Sequence, residues 1–173
     1  MTPIVFKPIG HIRSEHRAAE ATPIQPVYAE DCHGSAVLLP EFADGLADIE
    51  GFSHLYLLYV LDRATQPRLL VRPFLHDCEH GIFATRSPCR PNPLGMSLVR
   101  LLRREGAVLQ LAGVDILDGT PLLDIKPYSP RFDAVEAPRG GWTDAVSAET
   151  ARQLSRRGYL PSAPAPLSTQ SEP

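Results

Sequence analysis

The chain has 173 residues, of which 43% are hydrophobic and 21% charged, and its formal net charge is -3. This length favours a single domain with a sizeable core, and no apolar run reaches the length of a membrane span. The N-terminus has no signal-peptide pattern, and the spacing of Cys32, Cys78 and Cys89 does not indicate disulfides, so we expect a cytoplasmic protein with free thiols.

Short apolar segments separated by turn signals run through most of the chain. They are "SAVLLP", "FSHLYLLYVL", "RLLVRPFL", "GIFATR", "MSLVRLL", "AVLQLAGVDI" and "PLLDIKPY". Their length and their content of β-branched and aromatic residues favour strands, and their regular spacing predicts a mainly β fold, an antiparallel barrel or sandwich. The second segment is apolar almost throughout, which predicts a central strand buried on both faces.

Two segments have a helical pattern. One covers a turn or two around residues 40–50, and the other is "SAETARQLSRRG", where Ser147 is placed to cap the helix and Glu149 lies in the first turn. We therefore expect a β domain over residues 1–142, a short C-terminal helix packed on it over residues 143–160, and a disordered Pro- and Ser-rich tail over residues 161–173.

Charge is distributed unevenly along the sequence. Residues 63–104 contain eight arginines but only two acidic residues, Asp77 and Glu79. This asymmetry permits a local face that binds phosphates or nucleic acid. The alternative is that these arginines solvate the outer faces of strands.

Motifs for the common nucleotide-binding folds are absent. No glycines form a GxGxxG or GxxxxGK[ST] pattern, and no serine lies in a GxSxG elbow. In "HDCEH", His76, Cys78 and His80 alternate and would share one side of a strand, so a zinc-dependent hydrolase is a distant alternative. Because a fourth ligand is not evident, we expect no metal.

The run "TRSPCRPNP" predicts a stiff, irregular loop over residues 87–95. Its prolines fix the backbone, and it presents Arg86, Arg90, Asn92 and the Ser87 hydroxyl. Rigid arginine forks bind carboxylate or phosphate groups at a low ordering cost. The alternative is a connection whose arginines only pair with neighbouring acids.

The run "DILDGTPLLDIKPY" predicts a turn followed by a strand. Gly119 is suited to positive φ in the turn. In the strand, Asp124, Lys126 and Tyr128 would share one face, where a carboxylate, an ammonium and a phenol can bind a charged ligand and relay a proton. The alternative is an exposed salt bridge beside a tyrosine.

Four motifs in this order resemble the TsaA-like family, whose best-understood members are tRNA methyltransferases of the TrmO type. They are "IGHIRS", "GFSHL", "GIFATRSPCRPNPLGMS" and "DGTPLLDIKPY". The resemblance covers roughly residues 4–130. It implies a small antiparallel β-barrel that binds S-adenosylmethionine without a Rossmann fold, as a homodimer with the cofactor near the subunit interface. It further implies tRNA as substrate, methylated on the exocyclic amine of threonylcarbamoyl-modified adenosine next to the anticodon.

The resemblance also implies roles for individual residues. Those expected to line the cofactor are Gln25, Pro26, Asp62, Arg63, Arg86, Met96, Asp118, Gly119, Thr120 and Pro121. Those expected to face the methyl acceptor, as catalytic residues, are Asp124, Lys126, Tyr128, Arg90 and Asn92. On this reading Asp124 accepts a proton or a hydrogen bond from the amine, while Lys126 and Tyr128 hold the carboxylate or the base.

Two departures from the family keep other functions open. After the central strand the family commonly has His followed by a polar or basic residue, whereas this chain has Asp62 and Arg63. The longer tRNA methyltransferases also have an additional C-terminal domain, where here we expect only a helix and a tail. The alternatives are a methyltransferase acting on a small molecule or another RNA, and a non-catalytic module that binds the cofactor or RNA.

Overall fold

The computed structural model describes residues 2–136 and 139–155, and its centre is a closed antiparallel barrel of six strands. Within these residues there are eight strands: β1 Gly10–Ser14, β2 His33–Leu38, β3 His54–Val60, β4 Leu70–Val71, β5 His80–Gly81, β6 Leu94–Glu105, β7 Val108–Ala112 and β8 Pro121–Pro127. The barrel order is β1-β2-β7-β6-β3-β8, and β4 pairs with β5 in a separate two-stranded sheet. The predicted β-barrel is therefore confirmed.

The core fills the barrel with inward-facing aliphatic residues from every strand. In β3, Leu55, Leu57 and Tyr59 are at most 6% exposed, but the intervening residues are only partly buried. The expectation that this strand is buried on both faces is therefore wrong. The residues between them lie on the outer face of the barrel, which is half-exposed and is described below. A hydrophobicity pattern cannot distinguish such an outer face from a second core.

The two ends of the barrel differ in what covers them. We call the end where β6 and β8 begin, and where the turn containing Asp118 lies, the Asp118 mouth. The opposite end is covered by two 3-10 helices, Pro40–Leu46 and Ile49–Gly51, which insert Leu46 and Ile49 into the core. The helical pattern around residues 40–50 therefore corresponds to 3-10 turns.

Two predicted strands are much shorter than their apolar runs. Only Leu70–Val71 of "RLLVRPFL" is a strand, since the flanking prolines cannot donate to a ladder. In "GIFATR", residues Ile82–Ala84 form a 3-10 helix, and the Thr85 amide and hydroxyl both bond to the Ile82 carbonyl. Conversely β1 was not predicted, because its alternation contains a single large buried apolar side chain, Ile12.

Short helical segments complete the chain. The remaining ones are the 3-10 helices Ala19–Ala21, Pro26–Tyr28 and Gly141–Ala145 and the α-helices α1 Pro130–Asp133 and α2 Ala148–Ser155. Ser147 caps α2, with its Oγ accepting a hydrogen bond from the Thr150 amide at 3.1 Å. Residues 156–173, which include the end of the predicted helix and the predicted tail, lie outside the described residues. Across the part of the chain that the structure describes, no helix has the length and apolar character needed to cross a membrane.

Candidate functional site

The Pro-rich loop before β6 is fixed by its own arginine. The Arg90 guanidinium donates to the Thr85 carbonyl at 2.8 Å and the Ile82 carbonyl at 3.2 Å, and it lies over the Phe83 ring. Both bonds come from Nη1, and they tie Arg90 to the two ends of the 82–85 turn. Arg90 was predicted to face the methyl acceptor; in the structure its guanidinium bonds to the loop itself.

Arg86, in the same loop, points instead toward the N-terminal segment. Its guanidinium donates to the Gln25 side-chain carbonyl, and the Gln25 amide donates to the Ile24 carbonyl. The Ile24 amide in turn bonds to the Ser155 carbonyl of α2 at 3.0 Å. The C-terminal helix therefore holds the segment that carries Gln25 and Pro26, and the Pro26 carbonyl lies beside Gly113 at the end of β7.

The turn between β7 and β8 is held from three sides. Gly119 has φ +80°, as the sequence predicted for this position. The Asp118 carboxylate accepts hydrogen bonds from the Ser14 amide at 3.1 Å and from the Arg17 guanidinium, and the Arg63 guanidinium donates to the Asp118 carbonyl at 2.6 Å. The turn thus meets the end of β1 and the segment after β3, where Asp62 is exposed.

The outer face of β6, β3 and β8 carries a second group of predicted residues. Met96, Leu58 and Asp124 are direct neighbours across the three strands. The Asp124 carboxylate pairs with Lys126 at 2.9 Å and also accepts the Ile125 amide at 2.9 Å. Asp124 and Lys126 therefore share one face, as predicted, and Met96 lies about 10 Å from Asp124 at the usual strand spacing.

Tyr128 lies further along this outer face, toward the opposite end of the barrel. Its ring meets that of Tyr56 edge-on, with the centroids 5.9 Å apart. Partial burial raises the pKa of Tyr56, as do the nearby Asp133 carboxylate and Tyr128. The Tyr56 phenol is therefore a neutral hydrogen-bonding group near pH 7.

A polar chain that the sequence reading missed lies inside the Asp118 mouth. The Ser97 hydroxyl donates to Asp115 Oδ1 at 2.6 Å, and the Tyr59 hydroxyl lies 2.9 Å from Ser97 Oγ. Because the single Ser97 proton is directed to the carboxylate, Tyr59 must donate to Ser97. Ser97 and Tyr59 are 1% and 6% exposed, so this network belongs to the barrel interior.

Burial has a strong effect on the Asp115 carboxyl. It raises the pKa of Asp115 to about 7, although the hydrogen bond from Ser97 and the positive charge of Arg86 act in the opposite direction. Burial together with Asp115 also raises the pKa of Tyr59 well above its usual value. In the sequence, Asp115 could have been noticed from its position three residues before "DGTP", in the segment that links β7 to this turn.

The structure brings some of the predicted residues together and separates others. Gln25, Arg63, Arg86 and Asp118 converge at the Asp118 mouth through the contacts above. Thr120 is 3% exposed in the same turn, and Pro121 begins β8. Asn92 is exposed, and its carbonyl accepts the Leu94 amide at 2.8 Å.

The histidines of "HDCEH" form a stacked pair. His76 Nδ1 lies 2.8 Å from His80 Nε2, and Trp142 stacks on both rings. Within residues 2–136 and 139–155, Cys78 does not join them in a group with metal-ligand spacing. The group that has such spacing is Glu15, His16 and Cys32, in which His16 Nε2 bonds to the Val114 carbonyl at 2.9 Å.

A groove of about 490 Å³, which we call the Arg13 groove, runs over the outside of the barrel next to the Asp118 mouth. One row of its lining crosses four strands in register: Arg13, Ser35, Gln110 and Arg103. Arg17 lies between this row and Asp118. Arg103 pairs with Glu105 at 2.7 Å, which with Gln110 lowers the pKa of that carboxyl.

Sequence comparison decides the family. Residues 11–134 match the profile of the tRNA-methyltransferase O N-terminal domain. The chain belongs to this family. The matched range contains both the Asp118 mouth and the outer face of β6, β3 and β8, and the motif-based resemblance is confirmed.

Members of the family from several organisms are similar to the chain. A probable S-adenosyl-L-methionine-binding protein from Pyrococcus abyssi is 52% identical over 82% of this chain and 77% of its own length. The tRNA (adenine(37)-N6)-methyltransferase of Escherichia coli is 35% identical over 89% of this chain and 74% of its own length. The crystal structure of TrmO from Pseudomonas aeruginosa is 40% identical, with a TM-score of 0.69; the match covers 82% of this chain and 63% of that one, just under two thirds.

Proposed function

We propose that this protein is an S-adenosylmethionine-dependent methyltransferase that modifies the exocyclic amine of adenosine 37 in tRNA, the threonylcarbamoyl-modified nucleoside that the family resemblance implies. The observation that carries the proposal is the convergence of Gln25, Arg63, Arg86 and the Asp118 turn at one mouth of the barrel. Relatives that are named as cofactor-binding proteins and as tRNA methyltransferases support the two halves of the proposal.

The chemistry of the mouth fits this cofactor. S-adenosylmethionine carries one carboxylate and two positive charges, an ammonium and a sulfonium. Arg86 offers a fork for the carboxylate, and the Gln25 side chain that holds it is oriented by the Ile24 carbonyl. The acidic groups Asp115 and Asp118 complement the positive charges, and backbone groups of the Gly119 turn are suited to the nucleoside.

When bound, the cofactor supplies an electrophilic methyl group, and the remaining catalysis comes from positioning. An exocyclic amine is a weak nucleophile because its lone pair is delocalised into the purine. Asp124, oriented by Lys126 and the Ile125 amide, is placed to accept a hydrogen bond or a proton from that amine as positive charge develops.

Two features support tRNA and a second subunit as partners. The Arg13 groove adjoins the Asp118 mouth and offers guanidinium groups to phosphates. On the outer face, Leu94 and Met96 are 43% and 50% exposed, which suits an interface with another copy beside the site and leaves Asp124 open to the acceptor. We place the protein in the cytoplasm, where tRNA is modified.

The test is incubation of the protein with methyl-labelled S-adenosylmethionine and total tRNA, followed by nucleoside mass spectrometry. We expect label in the modified adenosine 37. Cofactor binding without label in any nucleoside would contradict the tRNA assignment and leave a small-molecule acceptor or a binding module.

A matched pair of variants separates cofactor binding from turnover. By calorimetry, Arg86→Ala is expected to weaken cofactor binding roughly tenfold or more, because it removes a charge-assisted fork. Lys7→Ala removes one positive charge near the opposite end of the barrel, where Lys7 pairs with Glu41 at 3.7 Å, and should leave the dissociation constant unchanged. Equal affinities in the two variants would argue against a cofactor site at the Asp118 mouth.

A further inference from the structure

The Asp115 carboxyl has fewer favourable partners than a buried negative charge needs. Its side-chain hydrogen bond comes from Ser97, a neutral hydroxyl, and its own backbone amide contributes a second hydrogen bond. Burial dominates the balance and keeps the proton on the carboxyl up to about pH 7. A buried carboxylate is normally compensated by a paired cation or by several donors.

The side chains that face Asp115 supply only part of this compensation, as does its own backbone amide, and burial still outweighs them. From β3, Tyr59 is directed to Ser97 and stays neutral because its pKa is raised. From β6, Ser97 contributes one hydrogen bond. From the Pro-rich loop, Arg86 lowers the pKa of Asp115 through its charge, but its guanidinium bonds to Gln25.

Because of the position of Asp115, a ligand bound in the mouth can supply the positive charge that would balance this carboxylate. The residue is partly exposed, three residues before the Asp118 turn, at the mouth where Arg86 and Gln25 meet. A cation bound in the mouth next to Arg86 would lie in a site of low dielectric, where its attraction to a carboxylate is stronger than in water.

We propose that Asp115 binds a positively charged group of the methyl donor and that donor binding releases the Asp115 proton to solvent. This inference rests on the proposed function, since it assigns the cofactor to the Asp118 mouth. The shared chemistry is a cation, and the donor has two of them, the sulfonium and the α-ammonium. Asp115 is then a specificity residue that favours a charged donor over a neutral nucleoside.

Calorimetry in two buffers of different ionisation enthalpy measures the released proton directly. Between about pH 5.5 and 7, the parent protein should release a proton on binding S-adenosylmethionine, and its affinity should rise up to about tenfold per pH unit. Methylthioadenosine, which has neither positive charge, should bind without this release. An equal release with methylthioadenosine would overturn the inference.

S-adenosylhomocysteine distinguishes the two cations. It keeps the ammonium and lacks the sulfonium, so proton release on its binding assigns Asp115 to the ammonium, and loss of the release assigns it to the sulfonium. Both results support the inference.

Three variants complete the test. Asp115→Asn should bind the donor with no linked proton and with pH-independent affinity. Ser97→Ala keeps the carboxyl but loses the bond that favours its charged form, so the pH at which affinity levels off should move upward. Asp44→Asn, an exposed carboxylate in the 3-10 helix at the opposite end, should behave as the parent.

The outcomes separate this inference from the proposed function. Donor binding by the parent with the same proton release in Asp115→Asn would overturn the role of Asp115 and leave the proposed function standing. If the parent protein bound neither the donor nor S-adenosylhomocysteine, the proposed function would fail and this inference with it.

Discussion

Gly95, at the start of β6, shows how tightly the interior network is packed. A Cβ at this position would overlap the ring of Tyr59, which is 6% exposed and bonded to Ser97. We expect Gly95→Ala to push the ring aside, break its bond to Ser97 and lower the free energy of unfolding by about 1–3 kcal/mol. Chemical denaturation of the two proteins measures this difference.

Gly45 provides the matched control, because a Cβ there meets no atom within 4 Å. Gly45→Ala should be neutral or stabilise by up to about 1 kcal/mol through the unfolded state. If both substitutions were neutral, the Tyr59 ring would not be fixed in the barrel as the structure has it.

Asp115 also predicts how stability changes with pH. Its folded pKa is raised to about 7, so between the ordinary aspartate pKa and 7 the folded state binds more protons than the unfolded state. By linkage, this group makes the protein less stable as pH rises through that window, by up to about 4 kcal/mol in total. Asp115→Asn should therefore gain stability relative to the parent between about pH 5 and 8, measured by denaturation at each pH. A constant difference across that range would contradict the raised pKa.

Among the secondary-structure elements, strands were predicted best where the alternation of side chains and the turn-forming residues indicate the same structure. The run after Asp118 is such a case: the positive φ of Gly119 and the shared face of Asp124 and Lys126 were both predicted and are both confirmed. The segment "GIFATR" was misassigned because Ile82 is buried by a 3-10 turn, and composition does not distinguish that turn from a short strand.

The Pro-rich loop yields a prediction about Arg90. Arg90 bonds to two backbone carbonyls and lies over Phe83, so it fixes the conformation of the loop that presents Arg86. Arg90→Ala should leave the loop mobile and weaken binding of S-adenosylmethionine several-fold. The loop must then become ordered when the cofactor binds, and this ordering costs free energy. Arg90→Lys should not rescue it, since an ammonium lacks the planar guanidinium that lies over the Phe83 ring.

Calorimetry and steady-state kinetics distinguish a role of Arg90 in fixing the loop from the role at the methyl acceptor that the sequence predicted. A braced loop predicts a larger dissociation constant for the cofactor. If Arg90→Ala instead left cofactor binding unchanged and impaired only turnover with tRNA, the residue would act at the methyl acceptor.

For the whole molecule, closure of the barrel explains what sequence alone could not give. Ser97 and Asp115 are separated by β7, and Arg86 and Gln25 by 61 positions, yet both pairs form hydrogen bonds. Such contacts depend on strand order and register, which local patterns do not determine. The motifs therefore indicated candidate site residues, while the mouth that joins them required the fold.

The Arg13 groove allows a test of whether the molecule binds RNA on this side of the barrel. Among the residues that the structure describes, Arg13 forms no ion pair, and it begins the row that continues through Ser35 and Gln110 to Arg103. If the groove holds a phosphate, Arg13→Ala should weaken tRNA binding and reduce the slope of log affinity against log salt by about 0.7–0.9. Lys7→Ala removes one positive charge near the opposite end, where Lys7 pairs with Glu41 at 3.7 Å, and should leave the slope unchanged. Fluorescence anisotropy across a salt series measures both slopes, and equal slopes for the two variants would place the tRNA backbone elsewhere on the barrel.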